Sequence, residues 1–370
     1  MSTSTRRRFL ETTGLGIAGA ALSSARGAAA QTPAAAAIVD WHAHWVGPHV
    51  VALLGARTSP RPPQGAGWFD IDARLRDMDA NDVRRQVLAW VGGAFDGAVP
   101  PEEARPLWRA QNDDLAALVR AHPSRFSALA SLPTSNVAWA AEELERAHGD
   151  LGLIGAVLPL DAFVSLAGAR ALAPIFAAAQ KHRSHIFVHR GAAAAAVPGQ
   201  QPETGAVNPY FGLPAAGAGR GQAPSGDNVS ARTLLATATH LASGVITLAF
   251  TDFLDAYPDV TVQVAMMGGA ISYVTEHVQM AAEEAGSPIP AKQLKRVYLD
   301  TGQSGRAPRG IALAAKVFGA DRILFGTDSG PVAAIGPTIA SVKQAEISAA
   351  EKELIFSGNA RRLLSSRGIT

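Results

Sequence analysis

Eight short apolar runs, each ending abruptly in a small or polar residue, constrain this chain more than any other feature. They are AIVDWH (37–42), RQVLAW (85–90), FSALASL (126–132), LIGAVL (153–158), HIFVH (185–189), VTVQVA (260–265), RVYLD (296–300) and RILFGTD (322–328). Most are rich in Val, Ile, Leu and Phe, as strands buried on both faces must be. Between them lie stretches with apolar residues at three- and four-residue spacing, at 101–122, 138–148, 169–182, 271–285 and 307–319. Pro101 at a helix start, and His122, Lys181 and His182 near helix ends, match capping and dipole preferences. Strands alternating with helices mean parallel βα units. Eight such units predict an α/β chain folded as a (β/α)8 barrel. An open doubly wound sheet is the alternative, but no Gly-rich nucleotide fingerprint follows any strand.

Composition narrows the function. The chain has 370 residues, 48% hydrophobic and 17% charged, enough for a large core. The formal charge of +2 belongs to the N-terminus: residues 1–30 carry four arginines and one glutamate, and the remainder is slightly acidic. There is no electrostatic case for a nucleic-acid partner. Cysteine is absent, so thiolate nucleophiles and thiolate metal sites are excluded, and any metal must be held by His and carboxylate. Residues 1–30 read as a signal peptide: a basic TRRRFL, a weakly apolar GLGIAGAAL and the small-residue run Ala28-Ala29-Ala30. Arg6-Arg7 followed by Phe9-Leu10 resembles a twin-arginine export signal, which implies the twin-arginine machinery as a partner and a periplasmic or secreted protein. The apolar run is too short to span a membrane, and no later segment reaches about 18 apolar residues. Residues 31–370 then form a single domain.

The ten histidines can be sorted by place. His122, His148 and His182 sit at helix ends, His240 and His277 inside helices, His185 at the bottom of the fifth strand, and His49 in the loop after the first. Only His42, His44 and His189 end predicted strands, and Asp328 ends the eighth. In a regular strand Asp40, His42 and His44 share one face. Strands one, five and eight converge at the barrel's C-terminal mouth, so three imidazoles and a carboxylate can meet there. That donor set suits one divalent metal, zinc above all, with manganese as the alternative. The Gly/Pro/Ala-rich connection 191–229 leaves the same mouth and is expected to be a lid.

DWHAH at strand one, FVHRG at strand five, LFGTD at strand eight and SGNARRLL (357–364) resemble the amidohydrolase superfamily. The branch is the one containing aminocarboxymuconate-semialdehyde decarboxylase. The segments at 73–88, 121–133 and 256–274 resemble it too, so the likeness covers nearly all of residues 31–370. It implies a TIM barrel of the metal-dependent hydrolase type, with His42, His44, His189 and Asp328 binding one divalent metal. Asp328 doubles as the proton-accepting catalytic group. It also implies an arginine for the substrate carboxylate, seven residues before a tryptophan; Arg61 precedes Trp68 by that interval. Arg190 and Arg220 are further candidates, since arginine holds carboxylates bidentately. One departure stands out: the family's acid/base histidine at the end of strand six is Met266 here.

The expected function is therefore non-oxidative decarboxylation of a small unsaturated or aromatic carboxylate. Hydrolysis of an ester, lactone or amide is the alternative within the superfamily. A non-catalytic periplasmic binding protein is a third reading, because a thioether cannot shuttle protons. The partner is a small carboxylated molecule, and the resemblance makes a homodimer the expected assembly.

Overall fold

The computed structural model describes residues 37–55, 66–90, 101–191, 226–330 and 335–369. Among the described residues nine strands pair in parallel throughout: β1 (Ile38–His44), β2 (Val83–Ala89), β3 (Phe126–Ala128), β4 (Ala130–Ser131), β5 (Gly155–Pro159), β6 (His185–His189), β7 (Thr261–Val264), β8 (Val297–Asp300) and β9 (Ile323–Leu324). β3 and β4 are the two halves of the predicted run 126–132. The first half pairs with β2 and the second with β5, so this run joins a three-stranded to a six-stranded ladder and the count returns to eight. The ring closes by backbone bonds from Trp41 to Phe325 (2.7 Å), Asp328 to His42 (2.8 Å) and His44 to Ser329 (2.6 Å). The fold is a (β/α)8 barrel, and the doubly wound alternative is excluded by this closure.

Helices follow the strands: α1 (Pro48–Gly55), α2 (Ile71–Ala80), α3 (Pro101–Ala121), α4 (Val137–Gly149), α5 (Leu166–Ala171), α6 (Ala173–His182), α7 (Val229–Ala249), α8 (Ile271–Glu284), α9 (Pro308–Phe318), α10 (Gly336–Gln344), α11 (Ala349–Glu353) and α12 (Asn359–Ser365). The helix expected at 169–182 is two, broken at Leu172 just before Pro174, because a proline inside a helix removes an N–H and clashes with the preceding turn. Side-chain caps from Asp70, Asn136, Ser165, Asn228 and Ser348 start α2, α4, α5, α7 and α11. The SGNA stretch has a mechanical role: Asn359 donates to the carbonyls of Ala320 and Ile323 and anchors the foot of β9. Among the described residues no helix is long and apolar enough to cross a membrane.

Residues 1–36 lie outside the described residues, as do 192–225 of the expected lid and the candidates Arg61 and Arg220.

Two histidines near the base of the barrel, His185 fully buried and His148 half-buried, are held as neutral rings. His185 Nε2 lies 3.0 Å from both the indole N–H of Trp41 and Gln263 Oε1, and its Nδ1 lies 2.9 Å from Thr261 Oγ1. Burial, then the charge of Arg367, pushes its pKa down to about 3. His148 is pushed down to about 4 by burial and by His182, which stacks on it at 4.8 Å. The unfolded chain takes up these protons near pH 6.5, so it binds more protons than the fold between about pH 6.5 and 4, and stability falls as pH falls through that window. Melting temperature measured from pH 7 to 4 is expected to drop, and His148→Gln is expected to flatten part of the slope.

Candidate metal centre

β1 does not run as a regular strand. Its register against β2 slips between Asp40 and Ala43, and the strict alternation expected for Asp40, His42 and His44 is lost. Asp40 is fully buried but faces Gln86 and Thr327: it accepts from Gln86 Nε2 (2.8 Å), Thr327 N (3.0 Å) and Thr327 Oγ1 (2.6 Å). His42 and His44 turn together toward the mouth, their Nε2 atoms 3.2 Å apart. His189 ends β6 with its ring 4.9 Å from that of His42 and 4.8 Å from that of His44. Asp328 lies just past β9, its Oδ1 3.1 Å from His44 Nε2 and 3.4 Å from His42 Nε2. One ligand atom from each of the four lies within 4.8 Å of the others, and all four residues are buried. The structure brings together the quartet expected from sequence.

The ring tautomers follow from the outer hydrogen bonds. His44 Nδ1 donates to the Ala89 carbonyl (3.1 Å) and His189 Nδ1 to the Arg190 carbonyl (2.9 Å). Carbonyls only accept, so both Nδ1 atoms carry the proton. His42 Nδ1 faces Asp300 Oδ1 at 2.9 Å. In its neutral form each ring then turns an Nε2 lone pair inward, the arrangement by which outer partners orient metal ligands.

Electrostatics says what belongs between them. Burial lowers the pKa of His42, but Asp300 and Asp328 overcome it and raise it to about 10. Burial works against ionising Asp328 too, yet His42 and His44 hold it well below the ordinary carboxylate range. Burial, then His44 and His42, pushes His189 well below the usual imidazole value. His189 Nε2 and Asp328 Oδ1 are buried without a hydrogen-bond partner, a costly state for polar atoms. Two carboxylates that demand a cation, three converging lone pairs and two orphaned donors to metal fit one divalent ion.

Several functional neighbours were not legible beforehand. Asp300, at the end of β8, accepts from His42, from Gln263 and from the backbone N–H of Met266 (3.1 Å) and Gly302 (2.8 Å). A Cβ on Gly302 would sit 2.4 Å from His42 Nδ1, so only glycine fits beside this pair. Phe187 forms a floor, its ring 4.8 Å from that of His42, and Trp68 stacks on His44 at 5.8 Å and 27°. Met266 is buried at the end of β7, as expected, and opens a turn in which residues 266 to 269 all have positive φ. Two non-glycine residues there each cost roughly 1–2 kcal/mol. Such strain concentrates at functional sites.

The remaining sequence candidates fall elsewhere. Arg190 is exposed, one residue past His189, and its charge reaches the buried Asp161. His49 opens α1 with an exposed ring paired to Asp114. His240 is bonded to Asp161 at 2.8 Å, and His277 is exposed on α8. None of these three histidines is a member of the quartet.

Replacing Asp300 with Asn keeps the shape but removes the charge that orients His42. Asp300→Asn is expected to weaken zinc binding about 10–100-fold, read by chelator competition, with the melting temperature of the metal-free protein as control.

The chain is 31% identical over 121 residues to 2-amino-3-carboxymuconate-6-semialdehyde decarboxylase of Dictyostelium discoideum, covering 33% of this chain and 34% of that protein. It is 36% identical over 87 residues to gamma-resorcylate decarboxylase of a Rhizobium species, covering 24% of this chain and 27% of the relative. These matches span about a third or less of each relative's length. Among solved structures, dihydroxybenzoic acid decarboxylase from a Polaromonas species, determined with manganese and the inhibitor 2-nitroresorcinol, superimposes with a TM-score of 0.65. That pair shares 21% identity, covering 89% of this chain and 96% of the other; it shows the same fold. The amidohydrolase family model matches residues 39–365, nearly the whole barrel with all four quartet residues, and the chain therefore belongs to the amidohydrolase family.

Proposed function

We propose that this chain is a metal-dependent enzyme that removes carbon dioxide, without redox change, from a small aromatic or unsaturated carboxylate. The observation that carries the reading is the buried quartet with three imidazole lone pairs and one carboxylate turned to a common point. The names of the partial relatives, decarboxylases of acids of this class, support it. A divalent ion in the quartet, zinc in our reading and manganese as the alternative, would supply positive charge to an oxygen of the substrate.

The residues then divide the work. In the net reaction the bond from ring carbon to carboxyl breaks, its electron pair stays on the ring carbon, that carbon gains one proton, and carbon dioxide leaves. His42, His44 and His189 are poor proton sources, because each Nδ1–H is committed to Asp300, Ala89 or Arg190. We assign Asp328 as both ligand and proton carrier. Arg190, exposed beside His189, is assigned to the substrate carboxylate together with Arg61 and Arg220, and residues 191–229 to a lid. We also assign residues 1–30 to twin-arginine export into the periplasm, and a homodimer as the working assembly.

Met266 favours a second reading. Its thioether cannot carry a proton, and hydrolysis of an ester, lactone or amide asks only that a carboxylate such as Asp328 take a proton from water. Without turnover of either kind, the protein would be a binding protein.

Elemental mass spectrometry on residues 31–370 is expected to find about one equivalent of zinc. One equivalent of manganese would replace the metal but keep the site. Aromatic and unsaturated carboxylates are expected to lose carbon dioxide, and chelation is expected to abolish this; turnover of activated esters alone would select hydrolysis. His189→Ala is expected to lose both metal and turnover, and full metal retention in that variant would overturn the site assignment. Met266→His adds a proton carrier, a group that typically contributes about 10²–10⁴-fold. A faster reaction with a shifted pH profile is expected, whereas an unchanged profile would place residue 266 away from the proton transfer.

A further inference from the structure

Arg74 lies in the middle of α2, where the sequence ARLRDMD reads as a polar surface helix. It is nevertheless only 6% exposed. Its guanidinium donates to four acceptors on four separate segments. Nη2 reaches the carbonyls of His44 (2.5 Å) and Gly67 (2.7 Å); Nη1 reaches Gln86 Oε1 (2.9 Å) and Ser329 Oγ (3.2 Å). His44 is a quartet residue, and Ser329 directly follows another, Asp328. Gly67 precedes Trp68, whose ring stacks on His44. Gln86 relays the link to the buried Asp40, which in turn holds Thr327 just before Asp328.

The charge is retained in this setting. Burial lowers the pKa of Arg74 to about 10, against the pull of Asp40 and Asp77, so the group stays protonated at neutral pH. A planar fork with five donors in fixed directions can bind several acceptors at once; an ammonium on a flexible stem cannot reproduce that pattern.

We infer that Arg74 is a positioning residue for the metal centre: one guanidinium holds the His44 backbone, the strand segment after Asp328 and the Trp68 turn in a single register. This rests on reading the quartet as a divalent-metal site. The metal geometry and the placement of the Trp68 ring then depend on the same group. Removing that group disturbs both without touching a ligand side chain.

The test uses purified wild type, Arg74→Ala and Arg74→Lys, each checked for a cooperative melt. Zinc affinity is read by chelator competition, and coordination geometry by the visible absorption of the cobalt(II)-loaded proteins. Arg74→Ala is expected to bind zinc about 10–100-fold more weakly with an altered cobalt spectrum. Free guanidinium ion is expected to restore both in part, and Arg74→Lys to fall between. Wild-type affinity and spectrum in Arg74→Ala would overturn the inference. If Arg74→Ala does not fold, the same result in Arg74→Lys overturns it. A wild-type protein that takes up neither metal overturns the quartet reading and this inference with it.

Discussion

The seam where β1 meets the segment after β9 carries the site. Backbone bonds from Asp328 to His42 and from His44 to Ser329 close the ring, and three of the four quartet residues lie on that seam. Closing the barrel and assembling the centre are thus one event. A barrel that closed one residue out of register would turn these side chains to the other face. Asp40 guards the register from inside, bonded at once to Gln86 on β2 and to Thr327 across the seam.

The centre carries a free-energy cost that the surrounding structure offsets. Asp328 itself has φ of +60°, and Met266 and Met267 have +53° and +58°. Residues held in that region persist only where neighbours over-determine them. Here the Met266 N–H is bound to Asp300, so the strained turn is tied to the carboxylate that orients His42. Strain, outer hydrogen bond and ligand form one chain of contacts, which explains how the end of β7 shapes a quartet to which it contributes no ligand.

Much of this was legible in the linear chain. Each apolar run became a strand within a residue or two except the last, where only Ile323–Leu324 is assigned and the remainder serves the seam through single backbone bonds. The quartet was legible because metal ligands must be His or carboxylate in a chain without cysteine, and because strand ends are places a barrel brings together. Asp300 was not, since an acid closing a strand looks the same whether it faces solvent or an imidazole. Arg74 was hidden by its helix, whose polar pattern signals a surface.

The sequence alone determined the alternation of strand and helix, the number of strands and the identity of the four donor residues, because these follow from periodicity and from which side chains can ligate. Only the tertiary structure decided that Asp40 is a strut and not a ligand, that Asp300, Ala89 and the Arg190 carbonyl set the three imidazole tautomers, and that Arg74 reaches the site. Those outcomes depend on a register slip in β1 and on contacts between residues more than two hundred positions apart, such as His42 with Asp300 and Arg74 with Ser329. Spacing along a chain carries local geometry; it does not carry which distant groups arrive beside it.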